Sequence, residues 1–247
     1  MRYSNIVDGF TDLSGIPIII PTFNNPTYLK NMVDFLFYKN NRNIIVVDNN
    51  STYPYMLDYL EDISNDIGVV RQYINAGPRQ FFNDPEAFVL LPEYFIVTDP
   101  DLDLSQEIPE NFIEIFKNIL DKHNVFKVGC ALDIELDNEN VLDELYVVGG
   151  GNTTIRQIES NYYLNRDAQY EDLYVYHAPV DTTFALYKKS NAHFGFFSGM
   201  RVGGDFTAHH FGWDVKLPMP DNEYNYYKNS MSGDFSSTEV LKRDGRI

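Results

Sequence analysis

Three aspartates spaced two apart, Asp99, Asp101 and Asp103, follow an apolar run over residues 94–98. Hard divalent cations such as Mg²⁺ and Mn²⁺ take oxygen ligands, and Mg²⁺ uses only one or two protein carboxylates before completing its shell with water and substrate phosphates. The spacing therefore suits a metal site whose remaining ligands come from a phosphorylated compound. An isolated Asp-x-Asp also makes a capped, solvated turn, so the rest of the chain has to decide between the two.

The elements that must position these carboxylates are legible in the first half. Apolar runs at residues 16–20, 43–47, 69–73 and 94–98 alternate with helical patterns. Leu29, Met32, Val33 and Leu36 recur at i, i+3, i+4, i+7 after Asn25-Pro26, and Met56, Tyr59, Leu60 and Ile63 define the next face. Asp84-Pro85 opens another helix as cap and first-turn proline. Strands alternating with helices predict βαβ units and a largely parallel sheet. The loops at 21–25, 48–51, 75–79 and 99–103 then all follow strands, where ligands of open parallel sheets bind. A further amphipathic helix is expected at 109–120, a strand at 126–134 and another at 182–187. Residues 137–144 are acidic, Gly149-Gly-Gly151 reads as a hinge, and 161–176 reads as loops and short helices. No element is assigned after Met219.

Composition limits the partners. Lys plus Arg number 19 against 36 Asp plus Glu, a net charge of −17, which opposes nonspecific binding to nucleic acid or to an anionic membrane surface. The single cysteine, Cys130, sits in an apolar run and reads as a small buried residue. No stretch approaches the ~18 apolar residues of a membrane span, and Asp8 and Asp12 stand where a signal peptide is apolar. The expectation is a soluble, cytoplasmic protein with no transmembrane segment.

In order along the chain, Ile18-Ile-Ile-Pro-Thr-Phe-Asn24, Val46-Val-Asp-Asn-Asn-Ser51, Asn75-Ala-Gly-Pro-Arg79 and Val97-Thr-Asp-Pro-Asp101 resemble the successive donor-site motifs of GT-A fold, family-2-like glycosyltransferases. Downstream, Val128-Gly-Cys-Ala-Leu-Asp-Ile134, Val180-Asp-Thr-Thr-Phe-Ala-Leu-Tyr187 and Arg201-Val-Gly-Gly-Asp-Phe-Thr-Ala-His-His-Phe-Gly-Trp213 are similar to bacterial and phage members with an Arg-Val and a C-terminal His. The resemblance spans residues 16–215. It implies an α/β GT-A domain over 1–218, with a nucleotide-sugar-binding half at 1–104, an acceptor-side half at 105–218 and a polar tail at 219–247.

The resemblance also implies roles. Pro21, Thr22, Phe23 and Asn24 would line the nucleoside pocket, and Asp48 would accept from the imide N–H of a uracil-like base. Asn75, Gly77 and Arg79 of the third loop would also contact the nucleotide sugar, Arg79 offering a planar fork to the diphosphate or the base. Asp99 would hold the ribose or a metal-bound water, and Asp101 would ligate the Mn²⁺ or Mg²⁺. Asp103 stands as substitute or supporting carboxylate. His210, three positions before Trp213, aligns with a family metal ligand, whereas His209 points to the opposite face of an extended segment. The segment 201–213 would then fold over the diphosphate as a lid. His123, His177 and His193 sit at no ligand spacing.

An inverting transferase needs a carboxylate base for the acceptor hydroxyl. Asp181, Glu159 and Asp205 are candidates, with Asp181 first and Glu159 second. The expected activity is metal-dependent transfer from a nucleoside diphosphate sugar, a UDP-sugar, to a hydroxyl of a glycan or glycolipid. The alternatives are a sugar nucleotidyltransferase, or an inactive metal-dependent carbohydrate- or nucleotide-binding protein.

Overall fold

Four apolar runs of the first hundred residues form one parallel block of a single sheet. The structure is a computed structural model that describes residues 15–137, 139–144, 152–230 and 245. Strands β1 (Ile18–Thr22), β2 (Ile44–Asp48), β3 (Gly68–Arg71) and β4 (Tyr94–Val97) pair in parallel in the order β3-β2-β1-β4. Every residue of β1 and β2 is buried, as expected for strands covered on both faces. Alternation sorts their side chains: Ile18, Ile20, Ile44 and Val46 join one core cluster, and Ile19, Ile45 and Val47 the other.

Helices α1 (Pro26–Tyr38) and α2 (Pro54–Ile63) bury the faces that their spacing dictates, and each begins with proline in its first turn. They cover the first face of the sheet together with α5 (Phe112–Lys122), which buries Phe112, Phe116, Ile119 and Leu120. The second face receives Ala87 of α4 (Pro85–Leu90), with Phe82 of the short α3 (Gln80–Asn83) packed against it. Asp84 caps α4 through the Glu86 N–H at 2.9 Å.

The second half extends the same sheet with shorter, mixed strands. β8 (Ala185–Lys188) lies between β4 and β6 (Lys127–Cys130), antiparallel to both. β9 (Gly199–Val202) runs parallel to β6, and β7 (Val175–His177) closes the edge antiparallel to β9. The whole order is β3-β2-β1-β4-β8-β6-β9-β7. β8 approaches β6 so closely that a Cβ on Gly129 would stand 2.7 Å from the Phe184 carbonyl oxygen. A separate ribbon pairs β5 (Leu102–Leu104) with β10 (Ala208–His210), and α6 (Ile155–Tyr162) carries a capping box of Thr154 and Gln157.

Several expectations need adjustment. The strand expected at 126–134 ends at Cys130, and the one expected at 182–187 starts only at Ala185. The pattern assigned no strand to β5, β7, β9 or β10, each three or four residues long. Gly149-Gly-Gly151 lies outside the described residues. The segment after Met219, read as polar tail, contains helix α7 (Asp221–Ser230).

Helix α7 supplies what α1 lacks. The Asn25 side chain at the α1 N-cap accepts from Thr22 Oγ1 instead of capping the helix. Buried Glu223 of α7 accepts from the Thr27 N–H at 3.0 Å and from Thr27 Oγ1 at 2.6 Å, capping α1 from another element. Replacing Glu223 with Ala should cost about 1–2 kcal/mol by denaturant unfolding, the value of a lost N-cap. An unchanged midpoint would show that α7 does not cap α1.

Candidate active site

Asp99 and Asp101 emerge where β4 ends, and β8 fixes them. Because β8 is antiparallel to β4, the residues leading into β8 lie beside the residues leaving β4. The Asp99 N–H donates to the Thr182 carbonyl at 3.0 Å, and Thr182 Oγ1 donates to the Asp99 carboxylate. Burial, then the neighbouring Asp101 charge, holds the Asp99 carboxyl well above the usual carboxylate range. A cation among these groups reverses that bias.

Asp101 is held from the other side by the ribbon. Its carbonyl accepts the Phe211 N–H at 3.0 Å, and its carboxylate lies 3.8 Å from His210 Nδ1. The His210 ring stacks on Trp213, with centroids 5.1 Å apart and planes at 12°. The Gly212 N–H donates to Nδ1 at 3.0 Å, so that nitrogen carries no proton and its single lone pair is taken by Gly212 in this conformation. The missing side chain of Gly212 keeps the space open: a Cβ there would meet His210 Cε1 at 2.7 Å and Asp101 Oδ2 at 3.3 Å. A carboxylate oxygen and an imidazole nitrogen 3.8 Å apart suit a divalent cation such as Mn²⁺ once the Gly212 N–H yields that lone pair.

His209 and Asp103 stand apart from this pair. They are cross-strand partners in the β5–β10 register, and His209 Nε2 contacts Asp214 Oδ2 at 3.0 Å. With Asp133 and Thr207 they line a hollow of about 300 Å³. The segment 201–213, expected to fold over the diphosphate, is tied to the rest of the chain through the pairing of β9 with β6 and of β10 with β5.

The first two loops are bolted together. Asn24, at φ +52°, accepts from the N–H groups of Thr52 and Tyr53 at 2.8 and 2.9 Å, while its own N–H donates to Ser51 Oγ at 2.8 Å. Asp48 is wholly buried, accepts the Ser51 N–H and pairs with Arg71 Nε at 2.9 Å. Thr22 donates to Asn25. Pro21 lies within β1, paired with Val47, and Phe23 is 6.4 Å from the Tyr227 ring of α7. In this conformation the side chains of Thr22, Asn24 and Asp48 are engaged in shaping the loops. In the third loop Asn75 accepts the Gly77 N–H at 3.0 Å, and Gly77 takes φ +76°.

Arg79 and Asp181 hold each other. The guanidinium reaches Asp181 through Nε at 3.1 Å and Nη2 at 2.6 Å, over the rings of Phe196 and Phe197 at 5.0 and 5.4 Å. Both side chains remain nearly half exposed, 43% and 47%. Glu159 is different: it is buried on α6 in a 2.5 Å contact with Arg201, whose Nε donates to the Pro179 carbonyl. Its carboxylate is not offered to a substrate here. Asp205 lies exposed in a short 3₁₀ turn.

Three functional neighbours escaped the sequence reading. Arg71 is an ordinary strand-end residue until β3 pairs with β2, and Thr182 lies inside a quoted motif without a chemical signature. The third, Lys127, is completely buried, donating to the Asp181 carbonyl at 2.7 Å and the Tyr187 hydroxyl at 3.1 Å.

A profile of the family described as Glycosyl transferase family 2 matches residues 18–195, well over half of the chain. The chain belongs to glycosyl transferase family 2. As a family-2 glycosyltransferase it has the GT-A-like architecture described above. Similar solved structures include S. aureus TarS 1-349, solved also in complex with UDP, and GalNAc-T7 with UDP, GalNAc and Mn²⁺. The TarS fragment is 17% identical with a TM-score of 0.41, covering 72% of this chain and 48% of its own, so this chain spans about half the length of that relative. GalNAc-T7 is 12% identical with a TM-score of 0.49, covering 94% of this chain and 55% of its own. No curated protein is significantly similar in sequence. No helix among the described residues is long and apolar enough to cross a membrane.

Burial pushes the Lys127 amine down to about 7. Above that pH the folded protein has released a proton that the unfolded chain keeps until about pH 10.4, so the contribution of this residue to stability rises with pH. Relative to Lys127→Met, the parent should gain up to about 1.4 kcal/mol of unfolding free energy per pH unit between pH 7 and 9. A difference independent of pH, measured by denaturant titration, would show that Lys127 is charged throughout.

Proposed function

We propose that this transferase moves a sugar from a UDP-sugar to a hydroxyl of a glycan or glycolipid, with Mn²⁺ or Mg²⁺ held by Asp101 and His210 and supported by Asp99. The observation that carries the reading is the 3.8 Å approach of Asp101 to His210 Nδ1 at the carboxyl end of β4. The metal, when bound, neutralises charge that develops on the departing diphosphate, a Lewis-acid role worth several kcal/mol in such sites.

The chain's own residues do the rest. Asn24, Ser51 and Asp48 hold the first two loops in one rigid frame for the nucleoside. Arg79 has a carboxylate partner in Asp181 before the donor arrives, and the donor's diphosphate competes for the same planar fork. Once Arg79 turns to the diphosphate, Asp181 is released, and it then accepts the proton of the acceptor hydroxyl. Phe196 and Phe197 keep the guanidinium plane in place between its two partners. Glu159 acts as a positioning residue through Arg201. The first loop, Pro21-Thr-Phe-Asn-Asn-Pro26, carries no Gly, Lys or Arg and is locked by Asn24, which argues against the phosphate-cradling loop of a nucleotidyltransferase.

The test is release of UDP from UDP-sugars with and without Mn²⁺, using water or simple glycosides as acceptor. Turnover should require the metal. Asp101→Asn should lose about 100-fold or more, the scale of one lost electrostatic contact to the transition state, and His210→Ala should fall with it, whereas His209→Ala should keep most activity. Near-normal turnover in Asp101→Asn, or His209 proving the damaging position, would overturn the assignment.

A further inference from the structure

His123, Asp167 and His177 are far apart in sequence and at no recognisable ligand spacing, yet their ligating atoms lie within 4.8 Å of one another. We propose that they form a second cation site, for a borderline-soft divalent metal of the Zn²⁺ class, distinct from the Asp101 site and independent of the reading of the reaction. His123 caps the end of α5, Asp167 lies in the loop before β7, and His177 is the last residue of β7.

The carboxylate is the first argument. Asp167 is buried, 5% exposed, and among the described residues no Lys or Arg pairs with it. One of its oxygens accepts the Gln169 N–H at 2.9 Å, and the other faces both imidazoles. An ionised carboxylate in that position needs a cation or a full set of donors.

The distances are the second. His177 Nε2 is 3.0 Å and His123 Nε2 is 3.8 Å from the same Asp167 oxygen. Nitrogen and oxygen ligands of tetrahedral Zn²⁺, at about 2.0–2.2 Å from the ion, stand about 3.3 Å from each other, so the two observed spacings bracket that value. The His177 contact is a hydrogen bond, whereas His123 at 3.8 Å is too far from the carboxylate for one, and an ion between them would take the His123 lone pair from its present partner. His123 Nε2 instead lies 3.0 Å from the Tyr170 hydroxyl, which can donate to its lone pair. The entrance is open on one side, because the His177 side chain is 52% exposed, leaving room for an ion to enter and for water as a fourth ligand.

Two imidazoles with one carboxylate favour Zn²⁺, Co²⁺ or Ni²⁺ over Mg²⁺. Such an ion would tie the end of α5 to the edge strand and to the loop before it, three segments with no covalent link. Its role is that of a clasp on the sheet edge.

The test uses the full chain, stripped with chelator and kept in excess Mg²⁺, titrated with Co²⁺ and followed by visible absorption and thermal unfolding. One equivalent should give the intense bands of tetrahedral Co²⁺, raise the melting temperature and be displaced by Zn²⁺. His177→Ala and Asp167→Asn should lose both effects, whereas Asp101→Asn should keep them. His177 Nε2 is also the near partner of the buried Asp167 oxygen, so the metal-free unfolding of each variant is the baseline against which its response to Co²⁺ is read. Absence of the bands in the parent, their survival in His177→Ala, or their loss in Asp101→Asn would each overturn the proposal and leave the three residues as a hydrogen-bonded cluster.

Discussion

The site depends on one pairing, β4 against β8. β1 to β4 all run the same way, and each crossover returns the chain to the same end of the sheet, so the loops after β1, β2, β3 and β4 share one edge. β8 enters beside β4 in the opposite direction. Its leading loop therefore arrives at that same edge, where the contacts between Asp99 and Thr182 fasten it. Asp181 comes with Thr182, and the third loop reaches it through Arg79. A parallel strand in the place of β8 would have carried Asp181 to the far end of the sheet.

The same arrangement concentrates charge. Asp99, Asp101 and Asp181 lie near one another, and Asp99 is already pushed toward its neutral form by burial and by its neighbours. Arg79 offsets part of this from the surface, while buried Lys127 supports the Asp181 backbone from beneath and gives up its charge above about pH 7. Lys127 is the costlier device, since its amine is desolvated against the rings of Tyr187 and Phe196, 4.8 and 3.7 Å away. In the proposed reaction an anionic donor and a divalent cation arrive together, and Arg79 exchanges its carboxylate partner for the diphosphate.

The parallel half was legible because its strands are buried on both faces and its helices keep strict apolar spacing behind proline-bearing starts, as at Pro26, Pro54 and Pro85. Asp101 was legible as a carboxylate just past a strand. The separation of His210 from His209 followed from strand alternation, and the register of β10 sends them to different neighbours. Other features carried no local signal. β5, β7, β9 and β10 are too short for periodicity, and Lys127 in a strand gives no hint of the hollow that receives its amine. The polar helix α7 has few apolar positions and is held by Glu223, Asn222 and Tyr226 bonding to α1 and to the loop before α2. The approach of His123 to His177 likewise arises only when the edge strand lands beside the end of α5.

The central claim is that the end of β4 and the β5–β10 ribbon hold one metal between a carboxylate and a single imidazole, next to the donor's diphosphate. Pulsed electron paramagnetic resonance of Mn²⁺ bound with UDP addresses it directly, since the electron spin reports the nuclei in its first shell. The account predicts couplings to one imidazole nitrogen and to phosphorus, with the nitrogen coupling lost in His210→Ala and retained in His209→Ala. A spectrum with phosphorus but no nitrogen coupling, or one whose nitrogen coupling follows His209, would contradict it.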